Sequence, residues 1–150
     1  MQRAIELSLE NMRSNKGGPF GAVVVKDGRI VGEGSNQVLA TNDPSAHAEV
    51  VAIREACRKL QSFQLTGCEI YSSCEPCPMC MGLIYWSRPE CVYYGNTASD
   101  AARVGFDDDF IYHELAKPAQ NRSLKMTQMM REQALAAFRL WADKPDKIQY

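Results

Sequence analysis

The chain has 150 residues, 45% of them apolar, which suits one domain with a real core and argues against disorder over most of its length. Seventeen Lys and Arg face eighteen Asp and Glu, a formal net charge of -1, so the whole molecule offers no cationic field to a polyphosphate. That balance favours a small, weakly charged ligand and makes a nucleic-acid partner an unfavoured expectation. No apolar run reaches a membrane-spanning length, and Met1 to Arg13 carries Arg3, Glu6 and Glu10 where a signal peptide needs an apolar h-region. A soluble, cytoplasmic protein with no membrane partner is expected.

In chain order, Ile5, Leu9 and Met12 recur at helical spacing, with Glu6, Glu10 and Arg13 mainly opposite, which predicts a packed amphipathic helix over 3–13. Gly17-Gly18-Pro19-Phe20-Gly21 then turns the chain. Ala22 to Val25, the turn signal Asp27-Gly28, and Ile30-Val31 predict a β-hairpin. Val23 to Val25 is apolar without alternation, so that strand is expected to be covered on both faces.

Asp43-Pro44 fits an N-cap with proline at the first helical position, ahead of a wide apolar helical face over Ala46 to Leu60. Glu69 to Tyr71 predicts a strand, Pro78 to Trp86 a core helix and Cys91 to Tyr94 another strand. Lys125 to Met129 is a further candidate strand, Met130 to Trp141 a helix, and Asp143 to Tyr150 a polar tail with an aromatic end. Helices alternating with short strands predict a three-layer α/β domain, with the strand order left open.

The chemistry concentrates in His47-Ala48-Glu49, followed 27 residues later by Pro76-Cys77-Pro78-Met79-Cys80. Pro78 suits a first helical turn, with Cys77 at its cap, and cysteines three apart return to one side of that turn. Free amides and the helix dipole favour thiolates there. His47, Cys77 and Cys80 would balance the charge of Zn²⁺ and leave the fourth tetrahedral position for water, which zinc brings to a pKa of about 7. Glu49 is the candidate proton carrier. Residues two apart on a regular helix point about 200° apart, so Glu49 reaches that water only if the ion lies off the helix end.

Two plainer readings stay open. Cys74 could close a structural zinc site through Cys74-x-x-Cys77-x-x-Cys80, giving a noncatalytic zinc-stabilised interaction module, or the thiols could be buried without metal. Cys57, Cys68 and Cys91 read as core or near-core thiols.

The H-x-E...P-C-x-x-C pattern is that of zinc deaminases acting on nucleobases. With it, the chain resembles the cytidine deaminase superfamily, and within it the small bacterial guanine deaminases. Gly18-Pro19-Phe20-Gly21-Ala22-Val23, Asn42-Asp43-Pro44, Ser73 to Cys80, Ile84-Tyr85-Trp86 with Arg88-Pro89, Gly105-Phe106-Asp107-Asp108, and Phe138-x-x-Trp141 with Tyr150 carry the resemblance.

The resemblance implies a cytidine-deaminase-like fold with a central mixed sheet between helices, and zinc-dependent conversion of guanine to xanthine and ammonia. It implies one zinc-dependent deaminase domain over 1–150, forming a homodimer in which residues 130–150 are a swapped segment covering the partner's site. Asn36 is implied as a purine ligand and Phe20, Trp86, Trp141 and Tyr150 as substrate-facing aromatics. Asp108 and Glu132 are implied as acids assisting proton movement beside Glu49. By residue type alone, Asn36 is a strand-end residue, Asp107 to Asp109 a solvated loop, Glu132 an exposed helix residue, and the aromatics packing residues. Cytosine, cytidine and tRNA adenosine are the rival substrates, since the same metal and Glu49 would serve them.

Overall fold

The structure is a computed structural model describing residues 1–149. Helix α1 (Gln2–Arg13) precedes a hairpin of β1 (Gly21–Lys26) and β2 (Arg29–Ser35). A short α2 (Val38–Thr41) leads to α3 (Ala48–Leu60), β3 (Cys68–Cys74), α4 (Pro78–Ser87) and β4 (Cys91–Asn96). Beyond these lie α5 (Ala98–Arg103), α6 (Asp109–Ala116), a single 3-10 turn at Ala119–Asn121, and α7 (Arg131–Asp143).

The chain divides into two compact units, the first Met1–Phe110 and the second beginning at Ile111. No helix among the described residues is long and apolar enough to cross a membrane.

The four strands form one mixed sheet in the order β2-β1-β3-β4. β1 runs antiparallel to both β2 and β3, while β3 and β4 are parallel, as a strand-helix-strand crossover through α4 requires. The hairpin turns at Asp27 and Gly28, both at positive φ, the backbone that an Asp-Gly pair accepts at little cost.

Glycines set the spacing of the layers. A Cβ on Gly32 or Gly34 would meet the Ala52 and Ala48 carbonyls of α3 at 2.3 and 2.2 Å, so α3 lies directly on β2. A Cβ on Gly21 would meet the Ala4 carbonyl of α1 at 2.2 Å. Gly34 pairs with Ala22, one residue beyond Gly21, so α1 and α3 cover opposite faces of the sheet. The main core joins Ala22, Val24 and Ile70 of the sheet to Ala52, Ile53 and Ala56 of α3 and Ile84 of α4. Val23, on the other face, is equally enclosed, as the unbroken apolar run of β1 predicts.

Three expectations are corrected. The buried face of α1 is Ala4, Ser8 and Asn11, while Ile5, Leu9 and Met12 stand about 40% or more exposed. Close approach of β1 admits only small side chains there. Asn11 is retained because its Nδ2 donates to the carbonyls of Gly18 and Asn36, both at 2.8 Å. Asp43-Pro44 does not open α3: Asp43 Oδ1 instead accepts from Ser45 N and Oγ in a local turn, and the helix starts at Ala48. Residues 125–129 form no strand and belong to a stretch in which no residue from 111 to 149 is buried.

Candidate metal centre and active site

The sheet brings the chemistry to one edge. Antiparallel pairing places Gly21 beside Ser35 and Ala22 beside Ser72, so the start of β1 meets the ends of β2 and β3. Gly21 N donates to Ser73 Oγ at 3.0 Å, and Asn36 N donates to the Phe20 carbonyl at 3.1 Å. The chain leaves β3 toward Cys77 and enters α3 at His47 from the same edge. Ligand sites in α/β sheets characteristically form at such carboxyl ends of strands.

His47 is the N-cap of α3, with φ -69° and ψ 158°, and Cys77 is the N-cap of α4, with φ -66° and ψ 168°. Both are extended residues at helix entrances, released from helical geometry. Pro78 fixes the first position of α4, and Cys80 falls one turn in, fully buried. His47 Nδ1 lies 3.5 Å from Cys77 Sγ and 3.6 Å from Cys80 Sγ.

Tetrahedral zinc, with bonds of about 2.3 Å to sulfur and about 2.05 Å to nitrogen, holds nitrogen about 3.6 Å from each sulfur. The donor set therefore fits zinc in chemistry and in spacing. Among the described residues these three form the one His, Cys, Asp and Glu cluster able to hold a metal, so a tetrahedral ion keeps one position free of protein.

Contact with Cys80 and then His47 hold the Cys77 thiol down at about 4, whereas Cys77, burial and Glu49 push Cys80 up. One thiol of the pair thus keeps a proton that cation binding would displace. Cys77 in turn raises the pKa of His47. Cys74 is not a ligand: its Sγ donates to the Thr97 carbonyl at 3.6 Å, and burial pushes its thiol up to about 11. The closed Cys74 site loses its fourth donor, and all six cysteines are free thiols.

Glu49, in the first turn of α3, is 6% exposed. Its Oε1 accepts from Ser72 Oγ at 3.0 Å and its Oε2 from Cys80 Sγ at 3.5 Å. Burial, above all, raises its pKa, as a group that must both take and return a proton requires. Because His47 caps the helix, Glu49 two residues on still reaches the cluster, and the condition set by helical geometry is met.

A cavity of about 290 Å³ opens on this cluster, lined by His47, Glu49 and Cys77 and walled by Phe20, Asn36, Glu75, Phe106 and Asp108. Asn36 Oδ1 accepts from Gly18 N at 3.4 Å and Val38 N at 3.3 Å, which fixes the amide and leaves its Nδ2 as a donor. Phe20 and Phe106 meet edge to face with centroids 4.9 Å apart. Burial raises the pKa of Asp108, and the charges of Cys77, Asp107 and Asp109 add to it.

Phe20, Asn36, Glu49 and Asp108 are thus brought together with the metal ligands. Trp86 is not: it stands 64% exposed on α4 and does not line the cavity, because the helix turns its metal-facing side at Cys80 away from it. Glu132 and Trp141 belong to α7 in the second unit, where Glu132 pairs with Arg131 and Arg139. Tyr150 lies outside the described residues. Sequence reasoning missed Glu75 and Phe106 as wall residues, although both sit inside motifs that it singled out.

The chain belongs to the cytidine and deoxycytidylate deaminase family, whose zinc-binding region matches residues 1–96. Within it, guanine deaminase of Bacillus subtilis is 50% identical over all of this chain and 96% of its own length. The solved structure of that enzyme superposes with a TM-score of 0.96, covering 99% of this chain and 95% of the other. A tRNA-specific adenosine deaminase of Aquifex aeolicus is 39% identical over 77% of this chain and 74% of its own. The structure of guanine deaminase from Nitrosomonas europaea is 28% identical with a TM-score of 0.68, covering 92% and 80%.

Proposed function

We infer that this protein is a zinc-dependent guanine deaminase, converting guanine and water to xanthine and ammonia. The observation that carries the reading is the buried Glu49 carboxylate, placed at one cavity with the His47, Cys77 and Cys80 donors in a chain matched from end to end by a guanine deaminase.

When bound, zinc supplies the Lewis acidity that lets water lose a proton near neutral pH. His47, Cys77 and Cys80 hold it. Glu49 takes the proton from the attacking water as its oxygen bonds to C2 of the purine, and returns the proton to ring N3. The proton still on the new C2 hydroxyl passes to the 2-amino group, the C2–N bond breaks with its electron pair on nitrogen, and ammonia leaves as C2 becomes a carbonyl. Asp108, whose pKa is raised above all by burial, is suited to relay that second transfer. Asn36 Nδ2 donates to an acceptor on the base, and the Phe20 and Phe106 rings bound the slot that receives it.

The working form is a homodimer in which the C-terminal segment closes the partner's cavity, with Trp141 and Tyr150 as its aromatic surfaces. Two features support this. No described residue of the second unit is buried, although it carries Leu115, Phe138, Leu140 and Trp141, and β4 is an edge strand of the sheet. Apolar side chains of this number need another surface to cover them. Six free cysteines fit a cytoplasmic enzyme.

The test is an assay of zinc-loaded protein against guanine, adenine, cytosine, cytidine and a tRNA anticodon stem. Ammonia and xanthine from guanine are the expected products; turnover of another substrate with none of guanine overturns the assignment.

A further inference from the structure

Residues 74 and 75, which lead from β3 into the metal loop, grip the chain that leaves β4 at three points. Glu75 N donates to the Asn96 carbonyl at 2.8 Å, Cys74 Sγ to the Thr97 carbonyl at 3.6 Å, and Glu75 Oε2 accepts from Ala98 N at 3.0 Å. The first continues the parallel pairing of β3 and β4, in which Cys74 stands opposite Asn96. The third is made by a side chain, and so depends on what residue 75 is.

Ala98 opens α5, and its amide is one of the orphan donors of that first turn. Thr97 caps the same turn by accepting from Asp100 N at 3.2 Å and takes back a bond from its own N to Asp100 Oδ2 at 2.9 Å. Glu75 supplies what that local cap does not: a bond from the first turn of α5 to the strand carrying the metal ligands. Ala98, Ala101, Phe106 and Asp108 line the same cavity as His47 and Glu49, and all follow Asn96 in the chain. Short α5 has no buried residue of its own to anchor it to the sheet.

From this geometry we propose that Glu75 is a positioning residue: its carboxylate fixes α5 to the metal-ligand loop and thereby sets the distance between the Phe106 and Asp108 wall and Glu49. The consequence for turnover rests on the guanine deaminase reading; the anchoring itself does not. A hydrogen bond to a carboxylate, once removed, loosens its partner by about tenfold or more. Glutamine keeps an acceptor oxygen for Ala98 N, whereas alanine has none.

Two measurements on the full-length, zinc-loaded protein test it. Hydrogen exchange followed by mass spectrometry should show residues 97–106 exchanging about tenfold faster in Glu75→Ala, with β1 and α3 unchanged and protection regained in Glu75→Gln. KM for guanine should rise about tenfold in Glu75→Ala, with full zinc content, and return to within about threefold of the parent in Glu75→Gln. Unchanged exchange over 97–106 in Glu75→Ala overturns the proposal, as does an exchange defect that glutamine fails to repair. A parent protein inactive on guanine but showing the exchange pattern would sink the substrate assignment and leave the anchor standing.

Discussion

Ser72 Oγ donates to Glu49 Oε1 at 3.0 Å, joining the second residue of a helix to the middle of a strand inside the protein. Ser72 is 2% exposed and Glu49 is 6% exposed, so neither can exchange this bond freely for water. The bond fixes which carboxylate oxygen is held and leaves the other, Oε2, to accept from Cys80 Sγ. Ser72→Ala should lower kcat by about tenfold and destabilise the fold by about 1 to 3 kcal/mol, with zinc content unchanged. Steady-state kinetics with metal analysis would show it, and an unaltered kcat would mean that Ser72 does not orient Glu49.

Glu49→Gln preserves shape and can still accept from Ser72, but cannot take a proton from water. Turnover should fall by about 10² to 10⁴, with zinc content and melting temperature close to the parent's. Loss of zinc in this variant would instead make Glu49 part of the metal's support.

Metal stoichiometry separates the two kinds of cysteine. Cys77→Ala and Cys80→Ala should each abolish tight zinc binding, because two protein donors remain where the tetrahedral site needs three. Cys74→Ala should retain one zinc per chain, since its thiol is committed to the Thr97 carbonyl. Elemental analysis after dialysis against a mild chelator decides it, and zinc loss from Cys74→Ala would contradict the open site.

The position of Glu49 also depends on glycines remote from the chemistry. An alanine at Gly34 would bring its Cβ to 2.2 Å from the Ala48 carbonyl, which precedes Glu49, so α3 must move off β2 and take His47 and Glu49 with it. Gly34→Ala should cost about 1 to 3 kcal/mol of stability and weaken zinc binding. Gly82→Ala is the control: it lies inside α4 with nothing near its Cβ, and should be neutral or stabilising by up to about 1 kcal/mol. Denaturant melts of the pair would test the layer spacing, and equal behaviour would refute it.

What could be read from the sequence divides along physical lines. Pro78 and the cysteine spacing announced a helix entrance at Cys77, and the hairpin followed from an Asp-Gly pair between apolar runs. Both signals are local. The buried face of α1 departs from its hydrophobic periodicity because close packing on β1 favours Ala4 and Ser8, and because Asn11 is buried through hydrogen bonds that periodicity does not register. Asp43 satisfied its own turn instead of capping α3, a competition between two local uses of the same side chain. The cavity wall needed the fold, since Glu75 and Ala98 are adjacent only through the parallel pairing of β3 and β4.

On α7, Phe138 and Leu140 are each more than 70% exposed and Trp141 is 44% exposed, and no residue of that helix is buried. A helix of thirteen residues is marginal in water by its own propensity, so α7 needs a surface against which to pack. The residues that follow it, 144–149, are too polar to provide one. If a second copy provides it, sedimentation at micromolar concentration should give a dimer, and Phe138→Asp with Leu140→Asp should give a monomer that retains zinc. Removing residues 143–150 is a separate intervention: it should lower deamination at least tenfold by leaving the cavity open to bulk water, with zinc content and the melting of the first unit little changed. Full activity in a folded truncation would rule out an essential lid, and a monomeric parent protein would rule out the exchange while leaving the zinc chemistry of His47, Glu49, Cys77 and Cys80 untouched.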